Sequence, residues 1–521
     1  MLMEIATLLR NLRGSALLML ISLALVRSFN LARYSAHPVK KFNHISKISV
    51  VSSRSRVCMM SEKGPFDGIM RGLGIRKSDA PSSIQDAAPS LEDLKQRLYD
   101  QQTPGEREYF TVRESGRGNA DSSASIRLFD APDGTVPRVT LYRDMAAWCP
   151  YCQKVWLQLE EKRIPYMVKK VPLRCYGDKP QWFRQLNPSG MLPVAEIDGK
   201  LITESNDIMQ ALEDQFPDHN PLIPRVSSPE GANMSGLLRL ERELFSVWFR
   251  WLTSPLRDES QRIQFNAVMD RVNSALKESS GPYFLGEQLT IVDIMYTPFL
   301  ERMAASLPYF KALEVRNNPQ WPAVEAWFQA MDSRPSYQGI KSDYYTHCHD
   351  LPPQIGGCFS VEAAKPYAAE IDGTDGSWNL PLREGIEPVG QMTSEEARRE
   401  AASRLLHNFE DVVKFSTRAV GKPGFPPVMA DLADPNAQPD NRYVDQVSIA
   451  LRHIIGVLLA QQEESLIEAM QISGSSMEGC NKAELTACLE YLRDRVGVPR
   501  DMSFAAAKQL RAHLNCLIQS L

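Results

Sequence analysis

VTLYRDMAAWCPYCQKVWLQLEEKRIPYMVKK, residues 139–170, and NPSGMLPVAEIDGKLITES, residues 187–205, decide how the chain is read. Val139–Arg143 is short and β-prone, Cys149-Pro150-Tyr151-Cys152 sits at a turn, and Gln153–Lys162 is made of good helix formers. The order is strand, C-x-x-C, helix. A thiol at such a turn lies on a helix N-terminus, where unpaired N–H groups and the positive dipole end favour thiolate over thiol. The thiolate is the nucleophile, so Cys149 is the candidate catalytic residue. Cys152 is its candidate resolving partner, inside the first helical turn and more buried.

The 521 residues are 43% hydrophobic and 23% charged, which suits a globular protein of about three domains. The first 61 residues carry nine Lys/Arg against the single acid Glu4, so the remainder holds −12 of a net −4. Such an acidic body argues against a nucleic-acid partner. Nine scattered cysteines, an odd number without framework spacing, suit reduced thiols.

Arg10 and Arg13 precede Ala16–Val26, an apolar run too short to span a bilayer comfortably, and residues 27–61 contain no acid. The first part has the composition of a signal-peptide core and the second that of an organelle transit segment. Together they resemble the bipartite leaders of algae with secondary plastids, whose transit part often begins at a Phe, as Ser28-Phe29 would here. The expectation for 1–61 is a targeting leader to a plastid, with a signal anchor or secretory-pathway location as the alternative. No stable membrane span is expected in the mature protein.

Residues 62–137 read as a linker or irregular region with one helix, Leu91–Leu98, behind a Ser90 cap, and with loop and short strands over 105–134. From 139 the pattern is βαβ, then ββα: Tyr166–Val171 is a strand, Val194–Ile197 and Lys200–Thr203 a hairpin across Asp198-Gly199, and Asn206–Phe216 a helix. This is a thioredoxin-like order. C-P-Y-C after the first strand, K-P-Q-W, N-P-S-G-M-L-P-V and the E-S that opens the last helix make residues 138–220 resemble the N-terminal, glutathione-binding domain of glutathione transferases. The resemblance implies a cis Pro193, a Leu192 main chain that pairs with the cysteinyl part of glutathione, and Glu204 and Ser205 on its γ-glutamyl end. It also implies that Lys179 meets the glycine carboxylate and that Tyr151 is a further glutathione contact. Physics agrees at Ser205, because a carboxylate gains from the free N–H groups and dipole of a helix start.

The resemblance implies an all-helical second half, which 231–345 supplies. Leu240, Leu244, Trp248 and Trp251 recur at helical spacing, and Thr290-Ile291-Val292-Asp293 is a capping box. Trp248, Phe249 and Trp251 are either core or the lining of an acceptor pocket. Residues 351–392 form a Gly/Pro-rich linker. Beyond it, 393–521 reads as a helical extension: Thr393 to about Val420, Val444–Met470, Lys482–Val496 and Ser503–Leu521. The expected fold is thus an α/β thioredoxin-like domain, an all-α transferase C-terminal domain, and an additional all-α C-terminal region.

A cysteine at the active turn resembles the omega, lambda and dehydroascorbate-reductase classes, while C-P-Y-C itself is the glutaredoxin sequence. The leading expectation is a glutathione-dependent thiol transferase or reductase, of deglutathionylation or dehydroascorbate-reductase type, in which Cys149 forms a mixed disulfide with glutathione. A conjugating detoxification transferase and a non-catalytic scaffold on the same fold are the alternatives. Glutathione is the expected co-substrate, a small-molecule or protein disulfide the acceptor, and a homodimer is compatible with the family. No metal is expected, since no second C-x-x-C follows and His347-Cys348-His349-Asp350 lacks a partner at metal spacing, reading instead as a polar domain end. If the helices after 392 pack over the site, truncation after about Leu351 should raise activity toward bulky disulfides.

Overall fold

Ser90 accepts a hydrogen bond from the Asp93 N–H at 3.1 Å and so caps α1, Leu91–Gln101. The computed structural model describes residues 88–225, 227–460 and 481–521, so the leader over 1–61 and Cys480 lie outside the described residues. A second cap follows at once. Thr103 N donates to Glu106 Oε2 (2.7 Å) and Glu106 N to Thr103 Oγ1 (3.3 Å), with Pro104 at the first helical position of α2, Pro104–Glu114. This helix corrects the loop reading that begins at Gly105: a reciprocal cap outweighs one glycine in the first turn.

After α2 the chain crosses the body as an arm ending in β1, Ile126–Arg127. It runs so close to the body that a Cβ on Gly339 would lie 1.8 Å from the Ala120 carbonyl oxygen. Four further strands follow with their helices: β2 Val139–Asp144, α3 Pro150–Lys162, β3 Tyr166–Val171, α4 Gln181–Leu186, β4 Val194–Ile197, β5 Lys200–Ile202 and α5 Ser205–Gln215. The sheet order is β1-β3-β2-β4-β5, with β2 parallel to β3 and all other pairs antiparallel. Central β2 is buried on both faces, as a strand between covered neighbours must be. Arg127 clamps β1 through a bidentate pair with Glu160 of α3 (2.8 and 2.9 Å), and Tyr166 OH donates to the same carboxylate at 2.6 Å.

The helical half comprises α6 Pro229–Thr253, α7 Asp258–Glu278, α8 Ile291–Lys311, α9 Pro322–Asp332, α10 Pro335–Gln338, α11 Tyr344–Ile355 and α12 Lys365–Ile371. The Thr290/Asp293 capping box opens α8, which is buried along almost its whole length. The fold is that of a thioredoxin-like sheet joined to a helical domain. Trp248 and Trp251 are core residues: their indole N–H groups donate to Ser306 Oγ (3.0 Å) and Asp258 Oδ1 (2.7 Å), and neither ring reaches solvent.

The chain ends in α13 Ser394–His407, α14 Phe409–Ser416, α15 Val444–Leu458, α16 Lys482–Arg493 and α17 Phe504–Ser520. Thr393 forms the expected capping box, but the helix predicted to run to Val420 breaks at Asn408, which ends α13 and starts α14. The helix predicted to reach Met470 is described as far as Leu458, and 461–480 lie outside the described residues. These helices share a second core with Leu94 and Leu98 of α1. An N-terminal helix thus completes a C-terminal bundle.

The junction between body and bundle is polar and buried. Arg511 of α17 pairs with Asp343 at 2.7 Å, Val498 N donates to Thr346 Oγ1 at 3.2 Å, and Ser122 of the arm donates to the Pro499 carbonyl at 2.5 Å. The loop before α15 also reaches the body: Met429 N and Ala430 N both donate to the Cys175 carbonyl at 3.1 Å. No helix among the described residues is long and apolar enough to cross a membrane.

Candidate functional site

β2 ends at Asp144 and α3 begins at Pro150, so the loop between them carries Cys149 to the helix N-cap position. The side chain of Cys149 makes no capping hydrogen bond. Two contacts hold the loop. Asp144 Oδ2 accepts the Trp148 N–H at 2.7 Å, and Arg302 of α8 donates to the Trp148 carbonyl. Cys149 is 7% exposed and Cys152 1%. Burial first, and the hydrogen bond to the Cys149 sulfur second, push the Cys152 thiol well above its ordinary range. The inner sulfur therefore stays protonated at neutral pH.

Arg302 belongs to a buried cluster that the sequence reading did not single out. Its guanidinium also donates to Gln153 Oε1 (2.9 Å), and Gln153 Nε2 donates to Glu301 Oε2 at 2.8 Å. Glu301 further accepts from Tyr337 OH (2.8 Å), Ser342 N (2.9 Å) and His347 Nε2 (2.7 Å). Burial raises the Glu301 carboxyl, but the His347 hydrogen bond, the Arg302 charge and the Ser342 N–H outweigh it and bring it to about 2. Burial lowers His347, whose Nδ1 has no partner, which fits a neutral imidazole donating through Nε2. An adjacent acid and base inside the apolar helix that follows the Thr290 cap was the available signal.

His347-Cys348-His349-Asp350 is therefore not a polar domain end. It lies on α11 with His347, Cys348 and Asp350 all at most 2% exposed. His347 meets Glu301, Asp350 accepts from Tyr176 OH, and His349 Nε2 lies 2.9 Å from Asp372. The bundle seals this helix from outside, and a linear sequence does not display that cover.

The other candidates fall around the same loop. The Leu192–Pro193 peptide is cis. The β2–β4 register ends with Tyr142 opposite Val194, the residue that follows Pro193. Lys179 is half-buried rather than exposed: its ammonium donates to the Pro172 carbonyl at 2.8 Å, and burial lowers its pKa although both thiols and Asp144 act to raise it. Glu204 is the exposed N-cap of α5 with no capping bond of its own, and Ser205 is the first helical residue. Lys154 of α3, missed in the sequence, donates to Asn206 Oδ1 at 2.7 Å and ties that helix start to the cysteine helix. Burial lowers Lys154 to about 8. Tyr151, 37% exposed, sets its ring edge-on to Phe299 at 6.1 Å. Phe249 packs half-buried against the main core.

Comparison with known proteins identifies the family. Residues 148–215 match the family model for the glutathione S-transferase N-terminal domain, and 236–330 that for the C-terminal domain. Glutathione S-transferase DHAR2 of Arabidopsis thaliana is 30% identical over 199 residues, which are 38% of this chain and 86% of the relative. The chain belongs to the glutathione S-transferase family. Glutathione S-transferase L1 of Arabidopsis thaliana is also 30% identical, over 37% of this chain and 79% of the relative. Glutathione S-transferase omega-1 of Sus scrofa is 26% identical over 42% and 88%. Among solved structures, glutathione transferase Omega 3C from Trametes versicolor is 29% identical, with a TM-score of 0.35 over 40% of this chain and 91% of its own. The transferase thus has relatives named DHAR, L and omega.

Proposed function

We propose that this transferase is a glutathione-dependent thiol reductase, of deglutathionylation or dehydroascorbate-reductase type, with Cys149 as nucleophile. The observation that carries the reading is the contrast between the two thiols. Cys149 sits at the N-cap of a 13-residue helix with no capping bond from its side chain, while Cys152 is the more deeply buried of the two and is held protonated. In the thiol-transfer cycle the Cys149 thiolate attacks the glutathione sulfur of a mixed disulfide R–S–S–G. One S–S bond forms, one breaks, and R–S⁻ leaves to take a proton from solvent. A second glutathione, as thiolate, attacks the Cys149 mixed disulfide, returning the Cys149 thiolate and releasing oxidised glutathione. Pro193, the Leu192 main chain, Glu204, Ser205, Lys179 and Tyr151 would hold the glutathione moieties.

Conjugation by a tyrosine hydroxyl has less support. Tyr142 OH is directed at Glu196, 3.3 Å away, and Tyr151 lies against Phe299. Oxidised glutathione should leave an adduct on Cys149 detectable by mass spectrometry, with thiol-transferase or dehydroascorbate-reductase turnover in parallel. Cys149→Ser should abolish both, whereas Cys152→Ser should retain most of the turnover. No adduct and no turnover would overturn the reading in favour of a scaffold. A Cys149–Cys152 disulfide as the main oxidised product would replace the one-thiol cycle with a two-thiol one.

The leader composition, together with relatives whose names include a chloroplastic DHAR3 of Arabidopsis thaliana, supports import into a plastid. Residues 1–61 fused to a fluorescent reporter should carry it there; a cytosolic reporter would refute this.

A further inference from the structure

Directly beneath the nucleophile, one polar atom has no explanation in the thiol cycle. Asp144 is 1% exposed, and while its Oδ2 accepts the Trp148 N–H, its Oδ1 has no hydrogen-bond partner. A buried carboxylate oxygen without a protein donor is costly, and a water, a ligand or an ion is what satisfies such an atom in a folded protein. A carboxylate oxygen of Asp144 and the sulfurs of Cys149 and Cys152 all lie within 4.8 Å of one another. We propose that Asp144, Cys149 and Cys152 form a three-ligand site for a thiophilic divalent ion of the Zn²⁺ class, which holds the nucleophile in reserve.

The donor set fits that chemistry. Two thiolates and one carboxylate are ordinary zinc ligands, and three protein ligands leave a fourth tetrahedral position for water or an added thiol. The Trp148 N–H holds Oδ2 and so fixes the orientation of the carboxylate that shares the cluster with the two sulfurs. Charge also balances: three anionic ligands take up a dication with one negative charge over, and the cations of Lys179 and Arg302 lie near enough to act on these groups. Binding forms two metal–sulfur bonds, Cys149 entering as the thiolate and Cys152 giving up its thiol proton to solvent, with no electron transferred. The ion occupies the sulfur that the thiol cycle needs, so metal loading should silence that cycle and a chelator should restore it. This consequence, though not the site itself, rests on Cys149 being the nucleophile.

Co²⁺ is the probe, added to the reduced full-length chain without oxygen. We expect a thiolate-to-metal charge-transfer band with tetrahedral d–d bands at one equivalent, bleached by stoichiometric Zn²⁺. Cys149→Ser and Cys152→Ser should each remove much of the charge-transfer intensity. Asp144→Asn keeps the acceptor for Trp148 and should keep that band while weakening binding by roughly tenfold or more. No band, or a band unchanged in both cysteine variants, would overturn the site; unchanged affinity in Asp144→Asn would remove the third ligand and with it the proposal. Adduct formation at Cys149 is measured separately on metal-free protein. Its failure would sink the thiol-reductase reading while leaving the cobalt spectrum to decide the metal site.

Discussion

Asp350 illustrates what one buried group does to a whole protein. Burial pushes its carboxyl up to about 7, and the Tyr176 hydroxyl and the Arg500 charge offset this only in part. In the unfolded chain it titrates near 4. As pH rises through that value the unfolded chain gives up the proton while the folded one keeps it to about 7, so stability falls across that window. The loss is at most about 4 kcal/mol. Asp350→Asn should therefore flatten the dependence of melting temperature on pH between about 4 and 7, and an unflattened profile would place the cause elsewhere. Glu301 has the opposite sign: with its carboxyl at about 2, its contribution is present at neutral pH and lost as pH falls from about 4.5. Glu301→Gln leaves the Arg302 guanidinium buried without the nearby carboxylate charge and should lower the melting temperature. Because Arg302 also grips the Trp148 carbonyl, that variant should form the Cys149 adduct more slowly than wild type even below its melting temperature. At this scale the cysteines were legible because their spacing is local. Asp144, Glu301, Arg302 and Lys154 were not, since a charged residue reads as surface until its partners, up to 154 positions away, are known.

Among elements, the strands from Val139 to Ile202 and the helices flanking them follow the sequence pattern to within a few residues at each end. Alternation, the Asp198-Gly199 turn and the positions of the helix starts all point one way there. β1 is different. Two residues long, it has no periodicity to detect, and its place beside β3 depends on Arg127 reaching Glu160, a pair in which both side chains are only 3% exposed. Arg127→Met should destabilise the protein by about 3–5 kcal/mol, because Glu160 is then a buried charge with one hydroxyl for company. The double variant Arg127→Met/Glu160→Gln should recover part of that loss. Chemical denaturation of the four proteins in the cycle measures the coupling, and purely additive effects would show that β1 is held by something else. The break at Asn408 was hidden for a related reason. Residues 394–416 hold no proline or glycine, and only Asn408 marks the break, after which α13 and α14 each pack against the later helices.

Across the whole molecule, the bundle is joined to the catalytic half through buried polar groups. This changes what removing it should do. A cut after Leu351 falls inside α11, whose His347, Cys348, Asp350 and Leu351 are all at most 2% exposed. Even a cut before Thr393 would strip Arg511 from Asp343, a pair in which the side chains are 1% and 0% exposed, and would take from Ser122 and Ser342 the carbonyl acceptors they have at Pro499 and Val498. The second core would also lose its partners for Leu94 and Leu98 of α1. Truncation should therefore yield a poorly soluble chain with a lowered melting temperature, not an enzyme freed toward bulky disulfides. Point substitution in the full chain tests the same interface without dismantling it. Arg511→Met leaves Asp343 buried and unpaired and should cost about 3–5 kcal/mol, whereas Arg511→Met/Asp343→Asn should recover part of the loss. If a chain ending before Thr393 melts as cooperatively and as high as the full protein, the bundle is a separate appendage. If instead the truncated chain is lost while the double variant stays folded, the transferase half depends on its extension, and the two cores fold as one cooperative unit.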